Sequence, residues 1–180
     1  MAIEEIRNIT WGLNGAQLSP WQAAQRLYKA GFKDVKLLAI AWAVMEAESG
    51  GYLKAFHHNV KRDENGLILR DADGKMIVLS TDLGFIQKNI VHPPNTKILV
   101  QETASQEFVE QLFKTNSDLA DGQKSANIAW AFYKLRGWQP WYAYSNESYK
   151  RSLPRGCEAV ANFLGKVLLN NSKLVKRLDA

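Results

Sequence analysis

The sequence predicts an α+β fold, mainly α, with one small β-hairpin lobe, and three observations carry that prediction. Apolar residues recur at three- and four-residue spacing in several separate segments, the mark of amphipathic or buried helices. Between Asn59 and Ser80 that spacing stops. Two turn clusters appear there, Asp63-Glu64-Asn65-Gly66 and Asp71-Ala72-Asp73-Gly74, with Leu67-Ile68-Leu69 and Met76-Ile77-Val78-Leu79 flanking the second as strands of a hairpin. Finally, 180 residues at 46% hydrophobic content suffice for one sizeable core, so a single domain over 1–180 is expected.

Residues 1–17, with Asn14-Gly15, read as an N-terminal arm ordered in part through Ile9 and Trp11. The first helix is marked by Ser19 at its N-cap, Pro20 in its first turn and Gly31 past its end. Asp34 is placed to cap a second helix running through Glu48. Its core, Leu37-Leu38-Ala39-Ile40-Ala41-Trp42-Ala43-Val44-Met45, is too densely apolar to lie on a surface, so this is the central buried helix. Gly50 and Gly51 stop it, since glycine accepts the left-handed backbone of a helix C-terminus. Beyond the hairpin, His92-Pro93-Pro94 breaks the chain. Helices are predicted over 105–114 and 125–135, the latter ending at Gly137, and from about Cys157 to Leu169, within a C-terminal helix and basic tail over 156–180. Lys173, Lys176 and Arg177 in that tail read as a solvated end or as a contact for an acidic partner.

Glu48 is the residue with the clearest chemical consequence. The C-terminal end of a helix carries partial negative charge and an apolar surround disfavours ionisation, so both effects push its carboxyl toward the protonated form. A carboxylic acid protonated near neutrality can act as a general acid. Glu46, two positions earlier, projects from another face and reads as solvated or structural. Gln87 and Asn89 follow Gly84, and their amides suit hydrogen bonding to sugar hydroxyl and N-acetyl groups or, alternatively, holding the hairpin in place. Trp138, Trp141, Tyr144 and Tyr149 have flat apolar faces with polar edges, suited to stacking on sugar rings, with core packing as the alternative.

Other function classes are excluded. The formal charge of +5 and a pI near 9.3 suit an anionic partner, yet no basic-aromatic signature of a nucleic-acid module appears, so nucleic acid is not expected. Cys157 is the one cysteine, expected as a buried free thiol and unable to form an intrachain disulfide. Glu4 and Glu5 come early and Ile6-Arg7-Asn8 breaks any apolar run, so no signal peptide is expected, nor a membrane span anywhere. No metal or cofactor is expected. His57 and His58 are adjacent and cannot easily aim both rings at one ion, and His92 stands alone. Asp63, Asn65, Asp71 and Asp73 lack the ligand series of a calcium loop and read as ordinary turn residues. No Cys-His pair, phosphate-binding glycine loop or serine nucleophile elbow is visible.

Glu48-Ser49-Gly50, then Asn59, then Ser80-Thr81-Asp82-Leu83-Gly84-Phe85-Ile86-Gln87-Lys88-Asn89 resemble, in the same order, the Glu, the Asn and the Ser-Thr-Asp-x-Gly-x-x-Gln-x-Asn run of the lysozyme-like superfamily. The segment from Ala129 to Tyr144, with Gly137-Trp138-Gln139-Pro140-Trp141, and the later Tyr149 resemble phage-encoded transglycosylase-like domains of the soluble lytic transglycosylase type. The resemblance covers residues 19–150. It implies a lysozyme-like fold with an active-site cleft and cleavage of the β-1,4 bond between N-acetylmuramic acid and N-acetylglucosamine in peptidoglycan. Glu48 would be the catalytic acid, with Asn59, Gln87, Asn89, Trp141, Tyr144 and Tyr149 on the glycan.

Asp82 matches the second carboxylate of the lysozyme branch, whereas soluble lytic transglycosylases work with the single Glu; a turn-capping aspartate beside Gly84 is the plain alternative. A carboxyl separation of roughly 5 to 5.5 Å fits a nucleophile and roughly 6.5 to 9.5 Å a base activating water. The implied partners are peptidoglycan glycan strands and phage tail proteins. The implied setting is synthesis in a bacterial host cytoplasm and action on the wall, as an endolysin after release or as a virion-associated tail lysin. The alternative is a catalytically silent structural or glycan-binding tail protein.

Overall fold

The computed structural model describes residues 10–91, 98–100 and 105–178. It is mixed α and β and mainly helical, in the order β1 (Trp11–Gly12), α1 (Pro20–Ala30), α2 (Val35–Ser49), β2 (Phe56–Val60), β3 (Met76–Leu83), β4 (Lys88–Val91), β5 (Ile98–Val100), α3 (Ser105–Thr115), α4 (Gly122–Arg136), α5 (Tyr142–Ser145) and α6 (Leu153–Leu178), with single 3-10 turns at Ser117–Leu119 and Ser148–Arg151. The described residues group into two compact units, one of 10–17 and 52–125, the other of 18–51 and 126–178. The expectations placed on Glu4, Glu5, Ile9, the His92-Pro93-Pro94 break and the side chains of Lys173, Lys176 and Arg177 lie outside the described residues.

In the helical unit, α1 is closed by a full capping box. The Ser19 hydroxyl accepts from Gln22 N–H while the Gln22 side chain accepts from Ser19 N–H. Helix α2 starts where Asp34 accepts from Leu37 N–H and ends where Gly50 adopts the left-handed conformation, at φ 60° and ψ 18°. Between those caps Leu38, Ala39, Ala41, Trp42, Ala43, Val44 and Met45 are all buried, as so apolar a helix requires. Helices α1 and α6 pack against it. The crossing with α6 is close at Gly156, where a Cβ would stand 2.8 Å from the Ala39 carbonyl oxygen. Helix α6 is longer than the predicted 157–169 and starts at Leu153, with Pro154 in the first turn, where no intrahelical N–H bond is lost. Cys157 is exposed, which overturns the expected buried thiol: the face of α6 that packs inward is carried by Gly156, Ala159, Val160 and Phe163.

In the sheet unit, the eight-residue strand β3 is central. It pairs antiparallel with β2 on one side and with β4 and β5 on the other, while β1 adds to β2. Phe56, His58 and Val60 on β2 and Met76, Val78, Thr81 and Leu83 on β3 face inward. The inward positions of β3 change phase between Val78 and Thr81 because Leu79 is an extra residue: Asn59 pairs with Ser80, and Val60 pairs with Val78. That bulge turns Ser80 and Asp82 to the open face of the sheet. In an unbroken strand they would share the buried side of Met76 and Val78.

The hairpin expected over 59–80 is therefore only part of the sheet. Leu67-Ile68-Leu69 is not a strand, and that stretch is tied by isolated bridges, Arg62 to Ile68 and Arg70 to Met76, while the long ladders join β3 to β2 and β4. Both turn clusters form as predicted, and they are copies of each other. Asp63 Oδ1 accepts from the N–H groups of Asn65 and Leu67, and Asp71 Oδ1 from those of Asp73 and Lys75. Arg62 and Arg70 each close their own loop on the carbonyl of a glycine four residues on, Gly66 or Gly74.

Deleting Leu79 removes the bulge and drives Ser80 and Asp82 into the apolar side of the sheet, so the deletion variant is expected to lose cooperative thermal unfolding. Leu79→Thr keeps the residue count at a half-exposed position and is expected to stay within about 0.5 kcal/mol of the parent. Equal stability of the two variants would refute the bulge's role.

Candidate functional site

Glu48 sits half-buried in the last turn of α2, and the local sequence accounts for its placement. Ser49 is buried, its hydroxyl donates to the Met45 carbonyl at 2.9 Å, and it accepts from Gly51 N–H at 3.2 Å. The Glu-Ser-Gly triplet thus ends the helix with the serine pinned inward and Glu48 turned elsewhere. Its Oε1 accepts from the backbone N–H of Ala143 at 2.6 Å. Ala143 is the second residue of α5, where a helical N–H has no partner within its own helix, and Trp141 at the N-cap offers no side-chain bond. Glu48 serves as that cap from a distant part of the sequence. Glu46 has a separate, structural tie, an ion pair at 2.9 Å with Arg155 of α6.

The segment that holds Glu48 also carries an aromatic column. Tyr144 stacks on Trp138 with centroids 5.3 Å apart, and Tyr149 stacks on Tyr144 at 4.9 Å. Phe32 continues the column beyond Trp138 at 6.1 Å. Tyr144 and Tyr149 are partly exposed, so their outer edges and faces can meet a ligand. Trp141 cannot do so where it stands. It is 2% exposed and packs edge-on against Trp138, so its large apolar ring is core rather than a sugar platform.

In the sheet unit, register assembles a second group. His57 on β2 lies opposite Asp82 on β3, Asp82 lies opposite Asn89 on β4, and Asn59 lies opposite Ser80. Cross-strand neighbours share a face, which brings these five polar side chains together. Asn59 Nδ2 donates to Asp82 Oδ2 at 2.9 Å and Asn89 Nδ2 to Asp82 Oδ1 at 2.7 Å, while His57 Nδ1 stands 3.5 Å from Oδ2. Burial pushes the Asp82 carboxyl upward. The hydrogen bonds from His57, Asn89 and Asn59, with the positive charge of protonated His57, outweigh it and hold the carboxyl below the ordinary aspartate range. Asp82 is thus a strand residue held across the sheet, not the cap of the following turn.

Gln87 closes that turn. It is one of two non-glycine residues with positive φ among those described, at 49°, and its Nε2 donates to the Gly84 carbonyl at 2.9 Å. Gly84 itself, at φ 77°, lets the chain pass Leu119, whose carbonyl oxygen a Cβ would meet at 2.4 Å. The Gln87 amide therefore serves the turn and keeps its Oε1 as a further acceptor.

His57 is the member of this group that the sequence did not single out, because its partner is 25 positions away and only strand register pairs them. The two adjacent histidines separate as strand neighbours do. His57 faces outward, while His58 is 1% exposed and bonds the Thr81 hydroxyl at 2.9 Å. Among the described residues no group of three or more His, Cys, Asp or Glu could hold a metal ion, and no helix is long and apolar enough to cross a membrane. Comparison of the chain with protein-family models, curated proteins and solved structures gave no match.

The lowered Asp82 carboxyl sets a pH dependence. A group whose pKa is depressed on folding contributes stability that is fully present above its unfolded value and is lost as pH falls through the folded one. Asp82→Asn is therefore expected to lower Tm at neutral pH, with the gap to the parent narrowing as pH drops below about 4. Thermal melts from pH 7 to pH 2 check this, and a gap that stays constant or widens in acid would refute it.

Proposed function

We propose that the chain is a peptidoglycan-cleaving enzyme of lysozyme-like fold, in which Glu48 protonates the glycosidic oxygen of the β-1,4 bond between N-acetylmuramic acid and N-acetylglucosamine. The observation that carries the reading is the fixed placement of Glu48. A helix terminus, a buried serine and the Ala143 N–H hold one carboxylate beside the segment that bears the Trp138, Tyr144 and Tyr149 column. A carboxyl held in place next to flat aromatic faces suits proton transfer to a sugar positioned by stacking. The ordered motifs from Glu48 to Asn89 and the Gly-Trp-x-Pro-Trp segment support the same family, and the net charge of +5 suits an acidic wall.

In the proposed reaction the proton of Glu48 passes to the leaving oxygen as the glycosidic bond breaks, and positive charge develops at the anomeric carbon. Two routes complete it. Water adds to that carbon, returning a proton to Glu48 and leaving a reducing end, or the sugar's own 6-hydroxyl attacks and closes a 1,6-anhydro ring. Asp82 stays ionised in its cage of donors, which suits a group that stabilises charge or orients water. A role as an endolysin or as a virion-associated tail lysin of a phage follows from the resemblance.

Mass spectrometry of fragments released from purified peptidoglycan, parent beside Glu48→Gln, tests the proposal. The parent is expected to release muropeptides, and the variant to fall by about 10²- to 10⁴-fold or more while keeping its melting curve. Reducing ends would identify hydrolysis and 1,6-anhydro ends transglycosylation. No release by either protein from walls of several bacterial types would overturn the enzyme reading in favour of a silent glycan-binding or structural tail protein.

A further inference from the structure

The open face of the sheet unit carries a hydrogen-bonding template that the cleavage reaction does not need. Both hydrogens of the Asn59 amide are in use, one on Ser80 Oγ at 3.0 Å and one on Asp82 Oδ2 at 2.9 Å. Asn89 repeats the arrangement from the other side, donating to Ser80 Oγ at 3.0 Å and Asp82 Oδ1 at 2.7 Å. What is left over follows from the inventory of each group. The two amide carbonyl oxygens remain as acceptors. Ser80 Oγ accepts twice, so its own hydrogen remains to be donated. His57, at Nδ1 beside Asp82, keeps Nε2 for an outside partner.

An aromatic face completes the group. Trp11 pairs in register with His57, so Trp11, His57, Asp82 and Asn89 form one row, one residue from each of β1 to β4. Trp11 is 39% exposed. Gly12 next to it packs flat on the Phe56 ring, where a Cβ would come within 2.4 Å, and this seats β1 and fixes the row's end. A large flat ring beside two fixed acceptors and one donor is the chemistry that recognises a pyranose carrying hydroxyls and an acetamido N–H.

We propose that Trp11, His57, Asn59, Ser80, Asp82 and Asn89 form a saccharide-binding site in the sheet unit that holds an N-acetylated glycan without the participation of Glu48. The sugar ring stacks on Trp11, its amide and hydroxyl hydrogens go to the Asn59 and Asn89 carbonyls, and a sugar oxygen accepts from Ser80. The ligand class rests on the peptidoglycan reading above, whereas the site does not rest on turnover. Because the donors and acceptors are already held by Asp82, little side-chain freedom is lost on binding.

The test uses full-length Glu48→Gln protein and the β-1,4 tetramer of N-acetylglucosamine as the probe, followed by ¹⁵N NMR. The expected result is displacement of the Trp11 indole N–H and the Asn59 and Asn89 side-chain signals. Trp11→Ala in the same background is expected to weaken binding about threefold to tenfold. Asn89→Ala, at an exposed position, serves as a second variant should Trp11→Ala unfold, and it too is expected to weaken binding. Displacement confined to signals around Glu48, Tyr144 and Tyr149, with unchanged affinity in both variants, would overturn this inference and leave the enzyme reading standing. If the parent cleaves no peptidoglycan while the tetramer still displaces the sheet signals, the enzyme reading falls and this site stands. No displacement anywhere would overturn the site.

Discussion

Helix α2 is apolar on every side, and the need to keep all of it from water organises the helical unit. Burying each of its large side chains is worth roughly 1.5–3 kcal/mol, so α1 and α6 cover it along its length. Even the one polar atom of Trp42 is provided for, with Nε1 donating to the Pro20 carbonyl at 3.0 Å. A helix so enclosed reaches water only near its end, and there the first acidic side chains emerge. Glu46 is bound to Arg155 and Glu48 to the backbone of α5. The position of the proposed acid is thus a consequence of packing: the core dictates the helix, and the helix terminus delivers the carboxylate.

The sheet unit is governed by a different constraint, the two-residue period of a strand and its single interruption. Leu79 breaks the phase, and the break sorts the residues that follow. Thr81 goes inward to satisfy the buried His58, while Ser80 and Asp82 go outward to meet Asn59, Asn89 and His57. Neither polar group is left unsatisfied. The outward cluster is also electrostatically closed, with amide donors and an imidazole around one carboxylate, which is why Asp82 keeps its charge despite partial burial.

Local signals decided how well each element could be read. The bounds of α1 and α2 were legible because Ser19, Asp34, Gly31 and Gly50 act within one turn of the helix they cap. The two aspartate turns were legible for the same reason. The strand β2 was not, because Phe56–Val60 is a short mixed run whose strand state comes from pairing with β3. Helix α5 was missed because four residues hold no period, and it stands on the bond from Glu48. Trp141 and Cys157 went to the opposite environments from those expected, since the inward face at each position is chosen by neighbouring elements rather than by residue type.

The sequence by itself determined the mainly helical α+β class, the capped helices, the two turns and the choice of Glu48 as the carboxylate at a core helix terminus. Each of these rests on residues a few positions apart, where backbone preference and side-chain capping act directly. Tertiary structure alone decided that Glu48 meets Ala143, 95 positions away, that Asp82 is held between His57 and Asn89, and that Trp11 joins their row. Those pairings depend on register and helix crossing, which minimise exposed apolar surface over a whole unit and so cannot be read from any one stretch of chain.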